Sequence, residues 1–130
     1  MHFHVVTLFP ESFTSYLEMS IIARAIKNKI IKVSFYNPRD FAKGKLQKKW
    51  PDGNVTTYVD DRPYGGGPGM VLRSEPFLGA IKKAVGKKGI KNIFLFSAGG
   101  KQFTNSDAAN LVQTKVHDIV PVCARYERIA

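Results

Sequence analysis

The sequence predicts an α/β fold, a parallel sheet flanked by helices. Three observations predict it. Short apolar runs rich in β-branched and aromatic residues alternate along the chain with stretches of helical periodicity, the order from which parallel sheets are built. The 130 residues leave room for one domain and not two. Apolar residues are 44 % and charged residues 23 %, the balance of a globular protein with a core. The sequence contains no internal repeat and no low-complexity tract.

The elements follow in order. His2 to Leu8 is an apolar, β-branched run and reads as a buried strand. Pro10 and Glu11 then open a helix, with Phe13, Tyr16, Leu17, Ile21 and Ala25 on one face and Asn28 at its end. Ile31, Val33 and Phe35 alternate as a second strand. Pro38 to Tyr58 is long, polar and turn-rich, with a tight turn expected at Pro51-Asp52-Gly53. Glu75 to Val85 reads as a helix with Ser74 as N-cap, Pro76 in its first turn and Gly86 beyond its end. Ile93 to Phe96 is a strand, and Thr104 to Lys115 a further helix. Asp118 to Cys123 is the last strand, and Pro121 argues that it lies at an edge or carries a bulge.

Composition excludes several classes. No apolar run approaches the ~20 residues of a membrane span. The start of the chain, MHFHVVTLFPE, lacks the marks of a signal peptide. The single cysteine, Cys123, forms no internal disulfide, and a reducing cytoplasm is the expected setting. Twenty Lys and Arg against ten Asp and Glu give a net charge of +10. The excess is clustered at Lys43, Lys45, Lys48 and Lys49, and again at Lys82, Lys83, Lys87, Lys88 and Lys91. Such stripes attract polyanions, nucleic acid above all, although a solvated face would look the same. His2 and His4 alternate on the first strand and His117 precedes the last. No metal-ligand spacing joins them, so structural roles are expected and no metal site is.

Ligands of parallel sheets bind at the carboxyl ends of the strands, and the unusual residues gather there. Phe96 is followed by Ser97-Ala98-Gly99-Gly100, and Cys123 by Ala124-Arg125-Tyr126-Glu127-Arg128. Residues 59–70 read VDDRPYGGGPGM, with four of the eleven glycines between 65 and 69. Glycine lets a backbone approach a ligand closely, so the loop suits an anion or a purine edge. A phosphate loop is a poor match, because no Gly-Lys-Ser/Thr follows. A flexible connector would explain the glycines, but not Asp60, Asp61, Arg62 and the stiff Pro63-Tyr64 entrance.

This string closely resembles the glycine-rich loop of the bacterial tRNA (guanine-N1)-methyltransferases, the TrmD family. Other matches fall in order: Leu8-Phe9-Pro10-Glu11, Pro38-Arg39-Asp40-Phe41, the Ser97 to Gly100 turn, and Cys123-Ala124-Arg125-Tyr126-Glu127. The resemblance covers the whole chain. It implies a SPOUT-type domain with a trefoil knot, a homodimer when full length, S-adenosylmethionine as cofactor and Mg2+ as an aid. It also implies methyl transfer to N1 of the guanine 3′ of a tRNA anticodon. Phe96, Ser97, Ala98 and Gly100 match one cofactor turn, and Ala124, Tyr126, Glu127 and Arg128 the second. Asp60, Arg62, Tyr64, Gly65, Gly66 and Gly67 match the loop beside the target guanine. The chemistry is consistent: the guanine N1 proton needs a base, and charge developing on O6 needs support. No covalent nucleophile is required, which leaves Cys123 an inert thiol.

The sequence departs from the family at Ala98, at Ala124 and Arg128 where the family has glycine, and in a longer basic loop between Phe41 and Val59. It stops at Ala130, where the family continues into its knot segment, a catalytic aspartate and a C-terminal RNA-binding domain. Residues 1–130 therefore read as a truncated methyltransferase domain lacking the knot segment, with the general base expected beyond Ala130. The rival reading is a non-catalytic RNA-binding remnant of the family.

Overall fold

The computed structural model describes residues 1–125 and 129. The first strand, β1 (His2–Thr7), leads through a 3-10 turn at Pro10–Phe13 into α1 (Thr14–Leu17), α2 (Ser20–Lys27) and β2 (Lys32–Tyr36). Two further 3-10 turns precede a hairpin of β3 (Gln47–Lys49) and β4 (Val55–Thr57), and a second hairpin joins β5 (Asp60–Asp61) to β6 (Val71–Leu72). The chain closes with α3 (Ser74–Val85), β7 (Ile93–Leu95), α4 (Asn105–Gln113) and β8 (Asp118–Cys123). The main sheet is parallel and four-stranded, in the order β2-β1-β8-β7. The predicted class therefore holds.

The core lies on one face of this sheet. Val6, Leu8, Val120 and Val122 point toward Phe77, Ala80 and Ala84 of α3, with Leu72, Val59 and Ala42 closing the side. Burying each of the valines, leucines and Phe77 stabilises the fold by roughly 1.5–3 kcal/mol. Gly79 lets α3 approach the Pro38–Phe41 turn, since a Cβ there would stand 2.9 Å from the Phe41 Cβ. The opposite face carries Phe3, Val5, Ile119, Pro121 and Cys123 and is only partly covered, because neither α2 nor α4 buries any residue.

Four expectations are corrected. The first helix is broken: Met19 is extended and Ser20 has φ +46°, so Tyr16 and Ile21 are exposed rather than on one buried face. Short helices depend on packing for their stability, and these have little to keep them in line. The polar stretch 38–58 holds a hairpin, although its tight turn does fall at 51–53, where Gly53 takes φ +84°. Ser74 is the first residue of α3, and the cap is Arg73, without a side-chain bond. Pro121 sits in an interior strand with no bulge: the β1 register runs His2–Asp118, Phe3–Ile119, then Val6–Val122, Thr7–Cys123. The pairing lapses only around the proline, which has no N–H to donate. The Thr104 expectation is sharpened, because Thr104 and Asp107 form a full capping box at the start of α4.

Candidate active site

The strand order places four carboxyl ends side by side, and each carries a segment singled out in the sequence. Phe9 follows β1, Asn37–Phe41 follows β2, Phe96–Gly100 follows β7, and Ala124 and Arg125 follow β8. The Phe96 amide donates to the Val122 carbonyl at 3.1 Å, which ties the β7 turn to the end of β8. The turn itself is closed by the Gly100 amide donating to the Ser97 carbonyl at 3.0 Å. A Cβ on Gly100 would come within 3.2 Å of that oxygen, so the turn favours glycine there, whereas Gly99 faces open space. Phe96, Ser97, Ala98 and Gly100 are all exposed. Ser97 and Gly100 open onto an apolar groove of about 590 Å³, floored by Val5, Pro121 and Cys123 and walled by Phe13 and Phe103. Burial pushes the Cys123 thiol up from its ordinary value, which keeps it protonated and unreactive.

The glycine string forms the tip of the β5–β6 hairpin. Asp60 pairs with Leu72 and Asp61 with Val71 at its base. Asp61 also bonds the Arg73 guanidinium and the Arg62 amide. Gly65, Gly66 and Gly69 have φ of +88°, +74° and +89°, which explains the residue type: the backbone path excludes side chains. Gly66 donates to the Pro63 carbonyl at 3.2 Å, and Gly67 has no neighbour at its Cβ position. Tyr64 is 98 % exposed. Leu72 in turn bridges Ile129 in parallel. Residue 129 therefore stands at the base of the glycine hairpin. Tyr126, Glu127 and Arg128, predicted for the second cofactor turn, lie outside the described residues.

Two features of this end escaped the sequence. The Phe9 ring is flanked by two guanidiniums, Arg39 and Arg125, each 5.7 Å from its centroid. Three sequence-distant residues make this cluster, and no local spacing signals it. In the basic hairpin, Lys48 stands 4.0 Å over the Trp50 ring, and the Trp50 indole donates to Thr56 Oγ1 at 2.8 Å. Lys43, Lys48 and Lys49 are exposed. A cationic hairpin bearing an exposed indole is suited to phosphates and unstacked bases. The second stripe belongs to the opposite end of the sheet, where Lys88 and Lys91 border a hollow with His117 and Asp118.

The family described as tRNA (Guanine-1)-methyltransferase TrmD matches residues 1–130. A tRNA (guanine-N(1)-)-methyltransferase of Buchnera aphidicola is 39 % identical over 127 residues, covering 98 % of this chain and 49 % of the relative. That of Actinobacillus succinogenes is 40 % identical over 131 residues, covering 99 % and 48 %. The crystal structure of tRNA (m1G37) methyltransferase from Aquifex aeolicus superposes with a TM-score of 0.76 at 31 % identity, covering 98 % of this chain and 53 % of that one. The chain spans about half the length of the relatives it matches.

Proposed function

Because the chain belongs to the TrmD family of tRNA (guanine-1)-methyltransferases, we propose that residues 1–130 carry the strand-end portion of a methyl-transfer site. The whole protein then moves the methyl of S-adenosylmethionine to N1 of the guanine 3′ of a tRNA anticodon. The observation that supports this most is convergence: the β7 turn, the segment after β8 and the base of the glycine hairpin meet through the Phe96–Val122 and Leu72–Ile129 contacts.

The residues fit an adenosyl cofactor. It needs apolar walls rather than a phosphate cradle, and the Ser97–Gly100 turn opens on an apolar groove. Phe96, Ser97, Ala98, Gly100 and Ala124 would hold it, with Tyr126, Glu127 and Arg128 beyond the described segment. When bound, S-adenosylmethionine supplies an already activated methyl. The chain's own part is positioning. Asp60, Arg62, Tyr64 and Gly65–Gly67 lie against the target guanine, where the open backbone lets a purine approach. Arg39 and Arg125 beside Phe9, together with the basic hairpin, receive the tRNA phosphates. The base that takes the N1 proton is assigned to no residue described here. Mg2+ prefers an octahedral shell of oxygens. At this end Asp61 is engaged by Arg73, and the described residues form no such shell.

A homodimer is part of the same reading. Exposed Ile22, Leu95, Phe96 and Phe103 line the open groove. No helix is long and apolar enough to cross a membrane among the described residues, and we place the protein in the cytoplasm. The test is a chimera of residues 1–130 with the C-terminal half of the Aquifex relative. It should form N1-methylguanine in a tRNA with guanine 3′ of its anticodon. A folded chimera that binds tRNA yet never methylates it would favour the non-catalytic RNA-binding remnant.

A further inference from the structure

The far end of the sheet holds a side-chain cluster that methyl transfer does not use. Parallel pairing of β1 with β8 sets His2 opposite Asp118, and the alternation of β1 brings His4 to the same face. One ligand atom from each residue lies within 4.8 Å of the others. His4 Nε2 is 2.9 Å from Asp118 Oδ1, and His2 Nδ1 is 3.7 Å from the same oxygen.

We propose that His2, His4 and Asp118 bind a divalent transition-metal ion such as Zn2+. The two imidazoles are borderline donors beside one hard carboxylate, a set that favours first-row transition ions over Mg2+ or Ca2+. Around a tetrahedral ion with bonds of about 2.0–2.1 Å, neighbouring donors stand about 3.3 Å apart. The two separations from Asp118 straddle that value, and the third, between the ring nitrogens, is at most 4.8 Å, so small side-chain shifts admit the ion.

The second, independent observation is the outer shell. His2 turns its other nitrogen, Nε2, to Ser34 Oγ at 2.7 Å. His4 turns Nδ1 to the Tyr36 hydroxyl at 3.2 Å. Both hydroxyls come from β2, so three strands fix the two rings with Nδ1 of His2 and Nε2 of His4 facing the carboxylate. Outer-shell partners of this kind hold ligating histidines in tautomer and orientation. His4 is buried while His2 and Asp118 are partly exposed, which leaves a water the fourth position. Lys32 and Lys88 stand close enough to repel a cation, so the site binds more weakly than a closed structural one. It joins the amino ends of β1 and β8 to Ser34 in the middle of β2, with Tyr36 reaching back from the last position of that strand, and does not depend on the methyltransferase reading.

The experiment uses the tag-free, chelator-treated chain, titrated with Zn2+ by calorimetry and with Co2+ by absorption spectroscopy. One ion per chain is expected, with the visible bands of tetrahedral Co2+ and a rise in unfolding temperature on adding Zn2+. Asp118→Asn and His2→Gln should each weaken binding by roughly tenfold or more, and Ser34→Ala by less. His117→Ala, which alters the neighbouring histidine outside the cluster, should change nothing. Absence of saturable binding by the unaltered chain would overturn the proposal. So would undiminished binding by a His2→Gln, His4→Gln double variant. Should the variants fail to fold, imidazole NMR of the unaltered chain decides: Zn2+ must shift His2 and His4, and unmoved signals reject the site.

Discussion

The two ends of the central sheet are built by opposite means. At the carboxyl end the backbone is the material: glycines at positive φ, a tight turn at Ser97–Gly100, and Tyr64 held almost wholly in solvent. Toward the amino end side chains are the material: His2, His4, Asp118 and Ser34 tie three strands together, and Tyr36 reaches back to His4 from the last position of β2. Strand register is fixed where side chains interlock, and room for a ligand is kept where they are absent. Stability and binding should therefore respond to different residues.

The comparison breaks most visibly in turnover. A polypeptide of residues 1–130 should methylate tRNA at least about 10²- to 10⁴-fold more slowly than the chimera, the range lost with a general base alone. Equal rates would mean that the carboxyl end described here is already a complete catalyst. Next in size is RNA affinity. Neutralising Lys43, Lys45, Lys48 and Lys49 together should lower the salt slope of tRNA binding by several units, about 0.7–0.9 per lost phosphate contact. The same change at Lys82, Lys83, Lys87 and Lys91 should lower it by less, because that stripe belongs to the amino end. Equal losses would erase the functional asymmetry of the two ends.

Stability should show the reverse asymmetry. Asp118→Ala leaves the buried His4 ring without its 2.9 Å partner and should cost about 1–3 kcal/mol in denaturant unfolding. Tyr64→Ala should stay within about 0.5 kcal/mol while weakening tRNA binding. The smallest effect is in pH, measured in chelator. Burial, then the charges of His4 and Lys32, hold the His2 imidazole below its ordinary value. The folded state thus binds this proton less well than the unfolded chain does. Its contribution is complete above about pH 6.5 and is lost as pH falls from there toward the folded value. Asp118 is held below the usual carboxylate range by the His4 hydrogen bond, and its share is lost only in stronger acid. His2→Gln should flatten the upper part of this profile.

Much of the fold was legible because its signals are local. β1, β2 and α3 followed from apolar runs and from Pro76 and Gly86, and the carboxyl-end segments from their glycines and aromatic neighbours. What escaped was tertiary. His2 and Asp118 are neighbours only through strand pairing, so spacing along β1 alone argued against a cluster. Phe9, Arg39 and Arg125 come from three different strand ends. Pro121 pointed to an edge because the rule concerns lost hydrogen bonds. Here the strand accepts one lapse in its ladder and keeps the rest. The β5–β6 hairpin escaped because two-residue strands carry no periodicity.

The position of β8 has a consequence for synthesis. Among the described residues it is the last of the eight strands to leave the ribosome, yet it lies between β1 and β7. Until residues 118–123 emerge, β1–β2 and β7 share no strand pairing, and the facing edges of β1 and β7 stand open. Such edges are templates for pairing with other chains. Pairings across most of the chain's length also close slowly, because loop entropy opposes them before any contact repays it. Residues 1–117 therefore pass through a stage as two unjoined pieces, which β8 joins when it pairs with β1 and β7.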